Sequence, residues 1–338
     1  MPLGSRHAAH GAIHQRMTRR HNSTQWPHVV VVGPGGVGAY FGGMLARAGA
    51  PVTMLGRSGR RSLHLQAIER DGLRLETLGF DERVGVEVAT TASVVEGAEL
   101  VLFCVKTPDT NEAALTIAPH VTDRTTVVAL QNGIENPALL RQAGIDPIAA
   151  VVYVAASVES PGTVTHRGRG DLIVGHPNRR AEVERVAAWF KRAGVPCQVS
   201  EQIERELWCK LLLNSMTNAV SALTDASYGA LAAFEPTWQI AIDVAREGVA
   251  VARASGHDFD QQVIIRRGLE ICRAVGQATS STQQDVARQK PSEIDALNGV
   301  IARRGTDLGI ETPINTLLWA LVKLRARENR PKHQKHRG

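Results

Sequence analysis

The segment His28-Val29-Val30-Val31-Val32-Gly33-Pro34-Gly35-Gly36-Val37-Gly38 constrains this chain more than any other. Four consecutive valines predict a strand buried on both faces, as in parallel sheets. The strand runs directly into G-x-G-x-x-G at Gly33, Gly35 and Gly38, and a helical stretch over 39–48 follows. Strand, glycine turn and helix in this order make a dinucleotide site, because a helix N-terminus offers free N–H groups and a positive dipole end to a pyrophosphate. Gly33 is expected to allow the tight turn, Gly35 the approach of the backbone to the phosphates, and Gly38 the close packing of helix on strand. The expected cofactor contacts of this loop are Gly33, Gly35, Gly36, Val37 and Gly38.

With 338 residues the chain can form more than one domain. Its longest apolar runs are strand-sized, well below the roughly 20 residues of a membrane span, so no membrane partner is expected. The four cysteines (Cys104, Cys197, Cys209, Cys272) are scattered with no C-x-x-C. That argues against a disulfide framework and a zinc site, and fits a reducing compartment; the expected location is cytoplasmic. The net charge of +6 sits in the ends: residues 1–28 contribute +4 and residues 323–338 contribute +6, which leaves the body at −4. A folded body of that charge is not expected to bind nucleic acid. Residues 1–27 carry arginines and no acid but lack the apolar core of a secretory signal. They are read as a disordered basic extension, with Met17 as an alternative start, and 329–338 as a basic tail. His7, His10, His14 and His21 are irregularly spaced, and no metal is expected.

Strands are predicted at 51–55, 72–77, 84–90, 100–105, 126–130, 151–156, 172–174 and 195–199, with a helix over 182–193. The alternation implies a doubly wound α/β sheet of Rossmann type. From about Ile203 helical periodicity takes over, with segments 203–222, 236–254, 260–275, 292–308 and 313–327. Pro236 is placed to start a helix, and Gly256 and Gly309 to end helices. The expected organisation is a dinucleotide-binding domain over 28–200 and an all-helical domain over 201–328.

The end of the second predicted strand chooses between NAD and NADP. An acid there would bind the ribose hydroxyls and repel a 2′-phosphate. The chain has Gly56-Arg57-Ser58-Gly59-Arg60-Arg61 and no acid before Glu69. Arg57 can offer a guanidinium fork to a phosphate; the plainer alternative is a solvent-exposed basic loop. NADP(H) is the expected cofactor. Lys106, at the C-terminal edge of the strand over 100–105, could add a second positive charge.

The segment Leu207-Trp208-Cys209-Lys210-Leu211-Leu212-Leu213-Asn214-Ser215-Met216-Thr217-Asn218 places Lys210, Asn214 and Asn218 on one helix face. The face could simply be solvated, but solvated faces favour Glu, Lys, Arg and Gln, and Asn is a poor helix former. The stripe reads as semi-buried and polar for a purpose. A second segment, Ser292-Glu293-Ile294-Asp295, is read as a capped helix start with Glu293 and Asp295 in its first turn. There both acids could merely complement the helix dipole. Asn132, before Gly133, reads by itself as a turn residue.

Taken together, these stretches resemble the ketopantoate reductase (2-dehydropantoate 2-reductase) family. The match comprises the fingerprint over 29–43, Cys104-Val105-Lys106-Thr107, Gln131-Asn132-Gly133, the helix with Lys210, Asn214 and Asn218, Ser292-Glu293-Ile294-Asp295 with Asn298-Gly299, and Gly309-Ile310 with Pro313 and Asn315. The resemblance implies an NADPH-dependent reductase making pantoate, on the way to coenzyme A, with the active site in the cleft between a Rossmann domain and a helical domain. It implies that Lys210 is the general acid and that Glu293 holds it through a charged hydrogen bond. It further implies that Asn214, Asn218 and Ser281 bind the substrate, that Asn132 lies near the nicotinamide ribose and substrate, and that Arg57 and Lys106 contact the 2′-phosphate. The implied partner is a small-molecule 2-keto acid; a homodimer is kept as an expectation that no motif of the sequence fixes. Two positions depart from the family: Pro34 stands where small residues are usual, and Tyr228-Gly229 stands where some members carry a substrate-binding Asn. The alternatives are reduction of another branched 2-keto acid and a non-catalytic NADP sensor. The presence of Lys210 together with Glu293 argues against the sensor.

Overall fold

The structure, a computed structural model, describes residues 26–59 and 61–328. The expected basic extension, apart from Trp26 and Pro27, and the tail over 329–338 lie outside the described residues. The strands are β1 (Val29–Val32), β2 (Val52–Leu55), β3 (Leu73–Glu76), β4 (Asp81–Val84), β5 (Glu87–Ala89), β6 (Leu100–Phe103), β7 (Thr126–Ala129), β8 (Ile148–Ser160), β9 (Thr163–Gly175) and β10 (Cys197–Val199). The sheet helices are α1 (Gly36–Arg47), α2 (Leu63–Asp71), α3 (Thr110–Ile117), α4 (Asn136–Gln142) and α5 (Arg180–Arg192).

One sheet orders them β4-β3-β9-β8-β7-β6-β1-β2-β5, with β10 beside β9. The stretch from β8 through β7, β6, β1 and β2 to β5 is parallel. β1 is central and buried on both faces, which is why its four positions read as an unbroken valine run. The other half departs from pure parallel winding, since β8 pairs antiparallel with β9 and β3 with β4. β8 and β9 form a hairpin of 13-residue strands whose outer halves carry polar residues. Those halves lack the apolar pattern of the inner ones, so only the inner ends are apparent from sequence. The strand predicted at 84–90 is two strands: β4 pairs with β3 at one edge, and β5 pairs with β2 at the opposite edge.

After β10 the chain is helical: α6 (Ile203–Thr224), α7 (Tyr228–Ala233), α8 (Glu235–Ala254), α9 (Gln261–Val275), α10 (Ser281–Ala287), α11 (Asn298–Leu308) and α12 (Pro313–Glu328). α6 is the spine, packed on α8, α10, α9 and α12 and touching β8. Gly309 ends α11 in the left-handed region and Gly256 follows α8 with φ of 88°. Asn298 donates to Ser215 O (3.1 Å) and Asn315 Oδ1 (3.0 Å), and Asn315 donates to Glu247 Oε2 (2.7 Å). These two asparagines therefore tie α11, α12, α6 and α8 together in the core.

The helix predicted over 292–308 is corrected. α11 begins only at Asn298, after a short 3-10 turn over Ile294–Ala296, and Ser292 caps nothing. Glu293 immediately precedes that 3-10 turn and Asp295 lies within it, so neither stands in the first turn of α11. Asp295 accepts from Trp319 Nε1 (2.6 Å) and Lys323 (2.9 Å) on α12.

Candidate active site

The glycine turn closes as a tight bend because Gly33 sits at φ of 85°, where a Cβ would also lie 2.8 Å from Val105 Cγ1. A Cβ on Gly38 would lie 2.6 Å from Gly33 O, and one on Gly36 would lie 2.4 Å from Ala156 O. Above Gly35 there is open space, with nothing within 4 Å of such a Cβ. α1 has no side-chain cap and no acid in its first turn. The first N–H groups of α1 thus meet no acid of their own helix turn, and the free space at Gly35 beside them fits the pyrophosphate of a dinucleotide.

Arg57 follows β2 at the same sheet edge, 73% exposed, in an ion pair with Asp109 (2.7 Å). An exposed pair of this kind contributes little. Lys106 crosses instead to the helical side, where its ammonium meets Pro291 O (2.7 Å) and Asp285 (2.8 Å). Burial pushes the Asp285 carboxyl up, and Lys106 opposes this.

Lys210 projects from the middle of α6 toward the sheet. Its ammonium donates to Asn132 Oδ1 (2.7 Å) and to the carbonyl of Val152 in β8. It also lies 5.4 Å from the centre of the Tyr153 ring. The charged end is enclosed although the side chain as a whole is only half-buried. Burial pulls its pKa down to about 8, with Glu293 acting in the opposite direction.

Glu293 does not bond Lys210 directly, which corrects the expected charged hydrogen bond. Asn132 stands between them: its Oδ1 accepts from the ammonium, and its Nδ2 donates to Glu293 Oε2 (2.9 Å). A primary amide carries an acceptor and donors on one rigid plane and can serve both neighbours at once. The other carboxylate oxygen accepts from Thr107 (3.4 Å). Asn132 is fixed in turn by Asn136, which donates to Asn132 O (2.7 Å) and to Thr107 Oγ1 (3.2 Å). Sequence reading missed Asn136 and Thr107 as supports. The available signal for Asn136 was its spacing, four residues after Asn132 and directly before the helix-starting Pro137.

One turn and two turns beyond Lys210 come Asn214, half-buried, and Asn218, buried. Tyr228 donates to Asn218 Oδ1 (3.0 Å), and Ser280 donates to Asn218 O (3.1 Å). Ser281 opens α10 in an exposed position, while its neighbour Ser280 is the buried cap, accepting from Gln283 N (3.0 Å). The structure therefore joins Lys210, Asn132 and Glu293 in one hydrogen-bonded chain, with Asn214 and Asn218 along the same helix as Lys210. A separate cavity of about 310 Å³ beside Tyr153, Arg169 and Arg267 contains none of these residues. Among the described residues no group of acids, histidines and cysteines could hold a metal.

Two family models cover nearly all of this architecture. The one described as ketopantoate reductase PanE/ApbA matches residues 29–179, and the one described as ketopantoate reductase PanE/ApbA C terminal matches 202–326. The chain belongs to the ketopantoate reductase family. The 2-dehydropantoate 2-reductase of Pyrococcus horikoshii is 35% identical over 302 residues, covering 87% of this chain and 96% of that protein. The enzyme of the same name from Halobacterium salinarum is 35% identical over 306 residues, covering 89% and 99%. The crystal structure of a PanE/ApbA family ketopantoate reductase from Ralstonia eutropha aligns with a TM-score of 0.82 at 46% identity, covering 89% of this chain and 99% of that one. The gap between the two matched segments contains β10, where sheet gives way to helices.

Proposed function

We propose that this chain reduces 2-dehydropantoate to pantoate with NADPH. The observation that carries the reading is the enclosed Lys210 ammonium, linked through Asn132 to Glu293. When bound, NADPH supplies the hydride that adds to the keto carbon. Negative charge then grows on the keto oxygen, and the chain must stabilise and protonate it. Lys210 does both, giving a proton from Nζ to that oxygen. Its pKa of about 8 suits a proton donor, because the group is charged at neutral pH yet a stronger acid than a free lysine. Asn132 fixes the direction of the ammonium, and Glu293 keeps it charged against the cost of burial.

The N-terminal N–H groups of α1 hold the pyrophosphate, and Arg57 leaves Asp109 for the 2′-phosphate. Asn214, Asn218 and Ser281 bind the carboxylate and hydroxyl of the substrate. The four free thiols fit a reducing compartment such as the cytoplasm. Exposed Leu317, Leu321 and Leu324 line one stripe of α12 and support a homodimer.

A second reading, reduction of a different branched 2-keto acid, draws on Tyr228 beside Asn218. The test is NADPH oxidation followed by absorbance against a panel of 2-keto acids. A kcat/KM highest for 2-dehydropantoate supports the reading, and a higher value for another member of the panel replaces it.

A further inference from the structure

Tyr228 occupies the first turn of α7, which Ser227 caps. Its backbone is clipped to the loop between α9 and α10: Tyr228 N donates to Ala278 O (2.9 Å) and Gly229 N to Gly276 O (2.8 Å). A Cβ on Gly229 would lie 2.9 Å from Gly276 O, so the approach is close. The ring packs against the core cluster that includes Met216, Trp238 and Cys272. Burial pushes the phenol's pKa up, so it stays protonated and must find an acceptor. That acceptor is Asn218 Oδ1.

The consequence falls on the other end of the amide. With Oδ1 accepting from the phenol, a flip of Asn218 would set Nδ2 against the Tyr228 oxygen and leave the buried phenol proton without its acceptor. Its Nδ2 has no hydrogen-bond partner among the described residues, yet it is not a sealed buried donor. It is thus the accessible donor of an otherwise buried side chain. Asn218 lies eight residues beyond Lys210, about 12 Å along the helix axis. It serves the end of a ligand remote from the reacting carbonyl.

We propose that Tyr228 is a specificity-determining residue: by holding the Asn218 amide with its hydrogens toward the cleft, it selects 2-keto acids that carry a hydrogen-bond acceptor at the far end. This rests on the reductase reading above, in which that acceptor is the terminal hydroxyl of 2-dehydropantoate. Tyr228 acts through Asn218 and takes no part in proton transfer, so its effect belongs in KM.

The test compares two substrates in one preparation: 2-dehydropantoate, and 3,3-dimethyl-2-oxobutanoate, which has the same skeleton without the hydroxyl. The ratio of their kcat/KM values does not depend on how much of a variant is folded. The wild-type chain is expected to prefer the hydroxylated substrate. In Tyr228→Phe that preference should fall by about fivefold to tenfold, the worth of one lost orienting hydrogen bond, through a raised KM for the hydroxylated substrate. An unchanged ratio in Tyr228→Phe overturns the role of Tyr228 and leaves the reductase reading intact. A wild-type chain indifferent to the hydroxyl also overturns it. A wild-type chain that reduces neither compound overturns the reductase reading itself.

Discussion

Replacing Asn132 by alanine removes the link between Lys210 and Glu293 and should be visible in the pH profile. The lysine starts from a pKa of about 8, set mainly by burial. Asn132 Oδ1 accepts from the ammonium at 2.7 Å, and a hydrogen bond to a charged group contributes about 1.5–3 kcal/mol. One pKa unit corresponds to about 1.36 kcal/mol, so losing the bond should lower the pKa by roughly one to two. A general acid works only while protonated, so activity is present below this pKa and lost above it. The alkaline limb of kcat/KM should therefore move from near pH 8 down by about 1 to 2 pH units in Asn132→Ala. Asn132→Asp tests the sign, since a carboxylate at the same place favours the charged lysine and should push the limb upward. The assay is NADPH oxidation across the neutral and alkaline range, with NADPH affinity by fluorescence quenching as control. Alkaline limbs that coincide in all three proteins would refute the coupling of Lys210 to its surroundings through Asn132.

Three further substitutions address the cofactor loop. A Cβ on Gly36 would meet Ala156 O at 2.4 Å, so Gly36→Ala should lower Tm, by overpacking worth about 1–3 kcal/mol, and weaken NADPH as well. Gly35→Ala has free space and should keep Tm while weakening NADPH; wild-type affinity in this variant would place the cofactor elsewhere. Arg57→Asp should raise the Kd for NADPH far more than that for NADH, because it sets a carboxylate against the 2′-phosphate. Equal losses, read by titration with both nucleotides, would remove Arg57 from phosphate recognition.

Much of the scaffold was legible because its signals are local. The valine run of β1 and its glycine turn show buried strand and helix start within a single short segment. Gly309 and Gly256 marked helix ends through the left-handed conformations they adopt. The polar face of α6 was visible because asparagines at helical spacing go against helix propensity. What stayed hidden depends on contacts distant in sequence. The outer half of the β8–β9 hairpin has no apolar pattern, since it is held by main-chain pairing between strands. α7 and α10 have only six and seven residues, too few to show a helical period. Nothing near Asn132 in sequence reveals that its amide bridges groups 78 and 161 residues away. The resemblance supplied Lys210 and Glu293 but joined them directly, and only the fold inserts the amide between them. Likewise, Tyr228 was visible as a departure, while its bond to Asn218 depends on the packing of α7 beside α6.

Proton delivery from the Lys210 ammonium to the keto oxygen underlies every step proposed for this site, and single-turnover kinetics of Lys210→Ala isolate it. With 2-dehydropantoate and saturating NADPH, the rate of hydride transfer should fall by about 10²–10⁴-fold, while NADPH Kd and Tm stay near the wild-type values. A variant that transfers hydride at the wild-type rate would rule Lys210 out as the acid.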